Sequence, residues 1–145
     1  MRSTKIVTSF VTSEEKILIL KRSNRVKSMK GLWGAVSGII EGQEEPLERA
    51  KIEIFEEIGA TSDSIELLKA GKDMMVSSPQ YPDHQWQVFP FLFRMNTTEV
   101  LLNWENSLFI AISCRRPYSL FIILMDKCIW YFPFQREKYI DRIVY

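Results

Sequence analysis

Glu53, Glu56 and Glu57 stand within five residues of one another. At roughly 100° per residue a helix gathers their carboxylates on one arc. Like charges held that close repel unless water or a cation screens them. Carboxylate oxygens are the hard ligands that Mg²⁺ or Mn²⁺ takes, and a carboxylate beside an attacking water can also accept its proton. A solvated acidic face is the other reading of such a cluster taken alone, so the surrounding frame decides between them.

A helix over Pro46–Ile58 would carry the three glutamates. Pro46 suits the first helical position, Glu44 and Glu45 complement the helix dipole, and Gly59 can end the helix. Leu47, Ala50, Ile54 and Ile58 then share a side that must pack on a sheet. Strands are expected at Thr4–Thr12 and Lys16–Lys21, joined as a hairpin through Ser13, Glu14 and Glu15. Further strands are expected at Ser64–Ala70, Lys72–Val76, Gln85–Met95 and Glu99–Leu102, with Ser77–His84 as a proline-containing loop. The apolar runs Leu108–Ile112 and Leu120–Met125 carry no decisive period, and Gln135–Ile143 has the character of a last short helix. Strands around one central helix make the fold class mixed α/β.

The chain has 145 residues, the length of one domain, with 46% apolar and 26% charged residues. A disordered tail and a repeat array are thereby excluded. Its 19 basic and 18 acidic residues leave a net charge of +1, so no global field draws it to nucleic acid or to an anionic membrane. The first residues lack a signal-peptide stretch and no apolar run approaches the ~20 residues of a spanning helix. With only Cys114 and Cys128 there is no disulfide framework, and a cytoplasmic location is expected. All six glycines lie between Gly31 and Gly71, whereas ten of the eighteen aromatics fall from Trp104 onward, so the two halves differ in kind.

The frame of the glutamates is Gly38, five residues, Glu44, then Glu53-Ile54-Phe55-Glu56-Glu57-Ile58-Gly59-Ala60. This resembles the Nudix box of the Nudix, or MutT-type, hydrolases. That motif reads Gly, five residues, Glu, seven residues, Arg-Glu, an aliphatic, one residue, Glu-Glu, one residue, Gly and an aliphatic. Gly38, Glu44, Glu53, Ile54, Glu56, Glu57 and Gly59 match, Ala60 is an acceptable ending, and Ile52 stands where the motif has arginine. Leu32-Trp33-Gly34, the Ile40-Glu41-Gly42 turn and the strand Val88–Phe93 are family-like as well.

The resemblance implies a Nudix fold, an α/β/α sandwich with a mixed sheet and a loop-helix-loop catalytic motif, over a module of residues 1–106 with its box at 38–60. It implies Mg²⁺ (or Mn²⁺) as cofactor, with Glu53, Glu56, Glu57 and the Gly38 carbonyl as ligands, Glu53 and Glu57 as catalytic residues with Glu53 the ligand or base, and Glu44 holding the loop to the helix. Glu105 stands where relatives carry an acidic residue and is the candidate remote base or ligand. Arg49 lies one turn before Glu53, and an i, i+4 contact would let it replace the absent arginine; a plain surface residue is the alternative.

Outside the box, Lys21, Arg22, Arg25, Lys27 and Lys30 form either a solvated basic loop or a phosphate-facing patch, with Arg25 the candidate contact. His84, the single histidine, could meet phosphate or act as a base. Trp33, Tyr81 and Trp86 could stack a nucleobase, although tryptophans beside apolar strands more often join the core.

The expected activity is metal-dependent hydrolysis of a pyrophosphate bond in a nucleoside diphosphate linked to another moiety: a dNTP, ADP-ribose, an NDP-sugar or a dinucleoside polyphosphate. The small nucleotide is then the expected partner, without membrane or nucleic acid, and a homodimer is in keeping with relatives. The rival reading is a Nudix-fold module that senses nucleotides and turns them over poorly. Intact glutamates favour the enzyme; Ile52 favours the rival. Residues 107–145 read as a divergent, aromatic-rich segment packed on the same domain, a replacement for the family's ending or the product of a shifted reading frame.

Overall fold

The structure is a computed structural model that describes residues 1–27, 30–79, 81–113 and 131–132, those from 107 on by their backbone alone. Its first two strands, β1 (Arg2–Ser13) and β2 (Lys16–Arg22), form the expected hairpin. Thr12 faces Ile17 and Ser13 faces Lys16, leaving Glu14 and Glu15 as a two-residue turn with φ of 49° and 60°. Positive φ at both turn residues matches the twist of the flanking strands.

The other strands are β3 (Trp33–Gly34), β4 (Val36–Ile39), β5 (Ile65–Ala70), β6 (Met74–Ser78), β7 (Tyr81–Met95), β8 (Asn106–Ser113) and β9 (Tyr131–Phe132). β1 is the spine of the mixed sheet: it runs parallel to β7 from Arg2↔His84 to Thr12↔Arg94, and antiparallel to β4 and β2 on its other edge. β5 and β6 flank β7, β8 pairs with β2, and β3 joins β2 to β9.

The central strands are apolar on both faces, which is why they read as near-continuous hydrophobic runs. Val7, Val11, Leu18, Leu20, Phe91 and Phe93 bury one face against α1 (Pro46–Ile58). Phe10, Ile17, Ile19, Val88 and Leu92 build a second cluster from the opposite parity.

The helix has the bounds expected from its signals. Pro46 opens it, and Gly59, at φ 75°, closes it by returning its N–H to the Phe55 carbonyl at 2.9 Å. Ala50, Ile54 and Ile58 are fully buried. Burial of each isoleucine stabilises by about 1.5–3 kcal/mol, which offsets the cost of the carboxylates that the same helix carries inward.

Two expectations change and one open assignment is settled. Ser77–His84 is not an open loop: β6 and β7 extend through most of it, so Tyr81 to His84 begin a strand. Glu99–Leu102 forms no strand, because the Leu101 N–H goes to the Ile58 carbonyl at the helix end, 2.9 Å away, while Val100 and Leu102 pack on the core. The Leu108–Ile112 run lies inside β8, paired with β2. Among the described residues α1 is the one α-helix; the helix expected at 135–143 and the run at 120–125 lie outside them. No helix among the described residues is long and apolar enough to cross a membrane.

Candidate active site

Gly38 ends the inner part of β4, and the helix lays Glu53 directly against it. A Cβ on residue 38 would overlap the Glu53 carboxyl group. Gly38 is not among the left-handed glycines, so space rather than backbone freedom makes glycine necessary here. The intervening loop is tied by Glu44, whose carboxylate accepts the Glu41 N–H at 3.0 Å and lies 3.5 Å from Arg49.

Glu53 is 9% exposed and Glu57 2%. Burial pushes the Glu53 carboxyl from 4.5 to about 7, against the pull of the neighbouring Arg49 charge. Burial, reinforced by Glu53 and Glu105, pushes Glu57 from 4.5 to about 8, although the hydrogen bond from Asn106 and the charge of Arg22 favour its ionised form. Glu56 keeps more than half of its side chain in solvent.

Asn106, which the sequence reading left out, is buried and gives its amide N–H to Glu57 Oε2 at 3.2 Å. Ser23 fixes the segment before it: the Ser23 N–H reaches the Glu105 carbonyl at 2.7 Å and its hydroxyl the Trp104 carbonyl at 2.8 Å. One short turn thus delivers Glu105 and Asn106 to the glutamates. A single buried asparagine leaves no periodic trace, so no pattern announces it.

A cleft of about 800 Å³ opens beside these groups. Gly38, Arg49, Glu53, Glu56 and Glu105 border it on one side, and Tyr81, His84 and Trp86 on another. His84 Nε2 is 2.9 Å from Thr4 Oγ1, its ring centroid 4.6 Å from that of Trp86, and Tyr81 meets Trp86 edge-on at 5.7 Å. Glu57 sits behind this lining. Trp33 and Arg25 do not line the cleft: Trp33 packs on the second core cluster with Lys21 Nζ 5.7 Å above its ring, and Arg25 is exposed in the loop after β2. Arg22, at the end of β2, is the basic-segment residue that reaches it.

Among the described residues no three of His, Cys, Asp and Glu converge closely enough to hold a metal as they stand. The donor set nonetheless fits a hard cation: two carboxylates kept from water, a glycine cradle that a Cβ would fill, and the half-exposed Glu56 carboxylate on the same helix.

A mixed α/β sheet with one glycine-framed helix presenting carboxylates at the rim of a cleft defines an α/β protein with a loop-helix-loop site. The chain belongs to the Nudix family: the NUDIX domain matches residues 2–112. With that membership it is an enzyme of the Nudix pyrophosphohydrolase type. Its fold is similar to that of a MutT protein from Methanosarcina mazei Go1, with a TM-score of 0.62 and 17% identity over 87% of this chain and 94% of that one. It is also similar to an Ap4A hydrolase from C. elegans, at 0.65 and 13% over 86% and 97%. A third similar structure is a bifunctional NMN adenylyltransferase/ADP ribose pyrophosphatase from Francisella tularensis complexed with AMP and a Mn ion, at 0.60 and 21% over 87% of this chain and 42% of that one. No curated protein matches.

Proposed function

We propose that this enzyme hydrolyses a pyrophosphate bond in a nucleoside diphosphate linked to another moiety, with Mg²⁺ or Mn²⁺ held by Glu53, Glu56, Glu57 and the Gly38 carbonyl. The observation that carries the reading is the pair of buried carboxylates, Glu53 and Glu57, on the helix that borders the cleft. Two acids buried side by side are costly in their ionised forms, so they either stay protonated or take up a cation. When bound, the metal supplies charge neutralisation of the phosphates and a lowered pKa for the attacking water.

The chain's own residues do the rest. Glu105 borders the cleft near the helix carboxylates, which supports a role for it in taking the proton of that water. Arg22 offers a cation to a phosphate oxygen. Tyr81, His84 and Trp86 form an aromatic wall on which a base stacks. Dinucleoside polyphosphates and ADP-ribose, the compounds named for two of the similar structures, belong to the substrate class.

A panel of dNTPs, oxidised dNTPs, ADP-ribose, NDP-sugars and dinucleoside polyphosphates, with and without Mg²⁺, tests the reading, with Glu57→Gln as control. Metal-dependent cleavage lost in the variant is the expected result. Nucleotide binding without turnover across the panel would instead favour the sensing module, for which Ile52 in place of the box arginine speaks.

A further inference from the structure

Ile52 is 41% exposed on the outer side of the helix, so the position that carries arginine in the Nudix box directs nothing at the carboxylates here. One turn earlier, Arg49 does. Its Nε lies 3.3 Å from Glu53 Oε1, one terminal nitrogen 3.5 Å from Glu44 Oε1, and the other 3.9 Å from Glu56 Oε2. The side chain is 14% exposed, whereas Glu56 and Glu44 are far more open to water. A planar guanidinium holds its five N–H donors in a fixed fork, so it addresses several carboxylates in one set geometry, whereas an ammonium is a point charge that rotates on a flexible stem.

We propose that Arg49 is the positioning residue of this site, doing from one turn earlier the work of the missing box arginine, and that it acts through Glu53. Side chains four apart on a helix are neighbours, while Ile52 and Glu53 project in different directions. Glu53 is confined by Gly38 on one side, and Arg49 fixes which way its carboxylate turns. The buried Nε–H makes no hydrogen bond, because Glu53 Oε1 lies close but out of line with it. The contact is therefore chiefly between charges, and it leaves the carboxylate's lone pairs available to a second cation. Glu44, which holds the Gly38–Glu44 loop, shares the same guanidinium, so loop and helix are oriented together.

The inference rests on the reading of the site as one that binds a divalent cation, and its test reads Mn²⁺ binding rather than turnover. Free Mn²⁺ is counted by electron paramagnetic resonance against the full chain as wild type, Arg49→Ala, Arg49→Lys, Glu53→Asp and the Arg49→Ala/Glu53→Asp double variant. Positioning predicts that Arg49→Ala weakens Mn²⁺ binding about tenfold. A cation that merely repelled the metal would give the opposite sign. Aspartate keeps the charge of Glu53 but withdraws it from Arg49, so in that background Arg49→Ala should change binding by less than about twofold. Arg49→Lys should fail to restore it. Tighter or unchanged binding in Arg49→Ala, or an equal loss in both backgrounds, overturns the proposal. A wild-type chain that binds no Mn²⁺ overturns the functional reading and this one with it. Should Arg49→Ala melt far below the wild type, Arg49→Gln takes its place in the same cycle.

Discussion

The carboxyl group of Glu53 occupies the space in which a side chain on residue 38 would lie, so Gly38 and Glu53 are two halves of one fit. Because residue 38 has an ordinary backbone conformation, the glycine answers to the glutamate and not to the chain path. Gly38→Ala should therefore fold but displace Glu53. We expect a stability loss of about 1–3 kcal/mol, of the size seen when a packed site is overfilled, and Mn²⁺ binding weakened at least tenfold. Thermal melts and metal titration check both. An alanine variant with wild-type metal affinity would show that Glu53 is not held where this fit puts it.

Much of this arrangement was legible beforehand. The helix bounds follow from Pro46 and Gly59, and the approach of Arg49 to Glu53 follows from their spacing of four. The strands were legible where apolar runs were long, as in β1 and β7. Two things were not. Tyr81 and His84 read as loop because Pro79 and Pro82 suggest a break, yet the β6–β7 hairpin carries Pro82 within a strand. Asn106 and Ser23 carry out their tasks through hydrogen bonds between residues more than 40 positions apart, with sequence separations of 49 and 81, and no local pattern encodes such partners.

Buried carboxylates give the fold a characteristic pH dependence. Glu53 and Glu57 titrate at about 7 and about 8 in the folded protein against 4.5 in water, so the fold accommodates their protonated forms. With folded values raised, the stability they contribute is complete below about pH 4.5 and is lost as pH rises through 7 and 8. The metal-free protein should melt progressively lower between these limits, by several degrees in all. Mg²⁺ added at about pH 8 should raise the melting temperature again, since the metal binds the ionised carboxylates, and a chelator should reverse the gain. A melting temperature independent of pH in the metal-free protein would contradict the burial of these acids.

Glu57→Gln removes the more deeply buried of the two charges while preserving shape. The metal-free variant should be at least as stable as wild type at about pH 8, with a flatter pH dependence, yet it should have lost divalent-metal stabilisation. Melting curves with and without Mg²⁺ separate the two effects. Stability and metal response falling together would indicate a damaged fold.

Asn106 donates to Glu57 and so favours its ionised form. Asn106→Ala should push the Glu57 carboxyl further up, and the pH at which Mn²⁺ binds half-maximally should rise with it. Loss of one hydrogen bond to a buried group costs about 1–3 kcal/mol, readable in urea unfolding. Asn106→Asp should act more strongly, because it sets a second acid against Glu57. A pH profile unmoved in both variants would separate Asn106 from the site.

The aromatic wall makes a prediction of a different kind, because it stands apart from the carboxylates. Tyr81 is 38% exposed and meets Trp86 edge-on, so its ring is the accessible face, while Trp86 also packs on the core. Tyr81→Ala should cost little stability, whereas Trp86→Ala should unfold the protein more readily, by about 3 kcal/mol or more if the packing is lost. If a base stacks on this wall, Tyr81→Ala should raise KM about 5- to 10-fold, equivalent to about 1 kcal/mol, and leave kcat nearly unchanged, because the ring binds substrate and transition state alike. Tyr81→Phe keeps the ring and should behave as wild type. A fall in kcat with constant KM would mean that Tyr81 assists the reacting phosphate instead of the base.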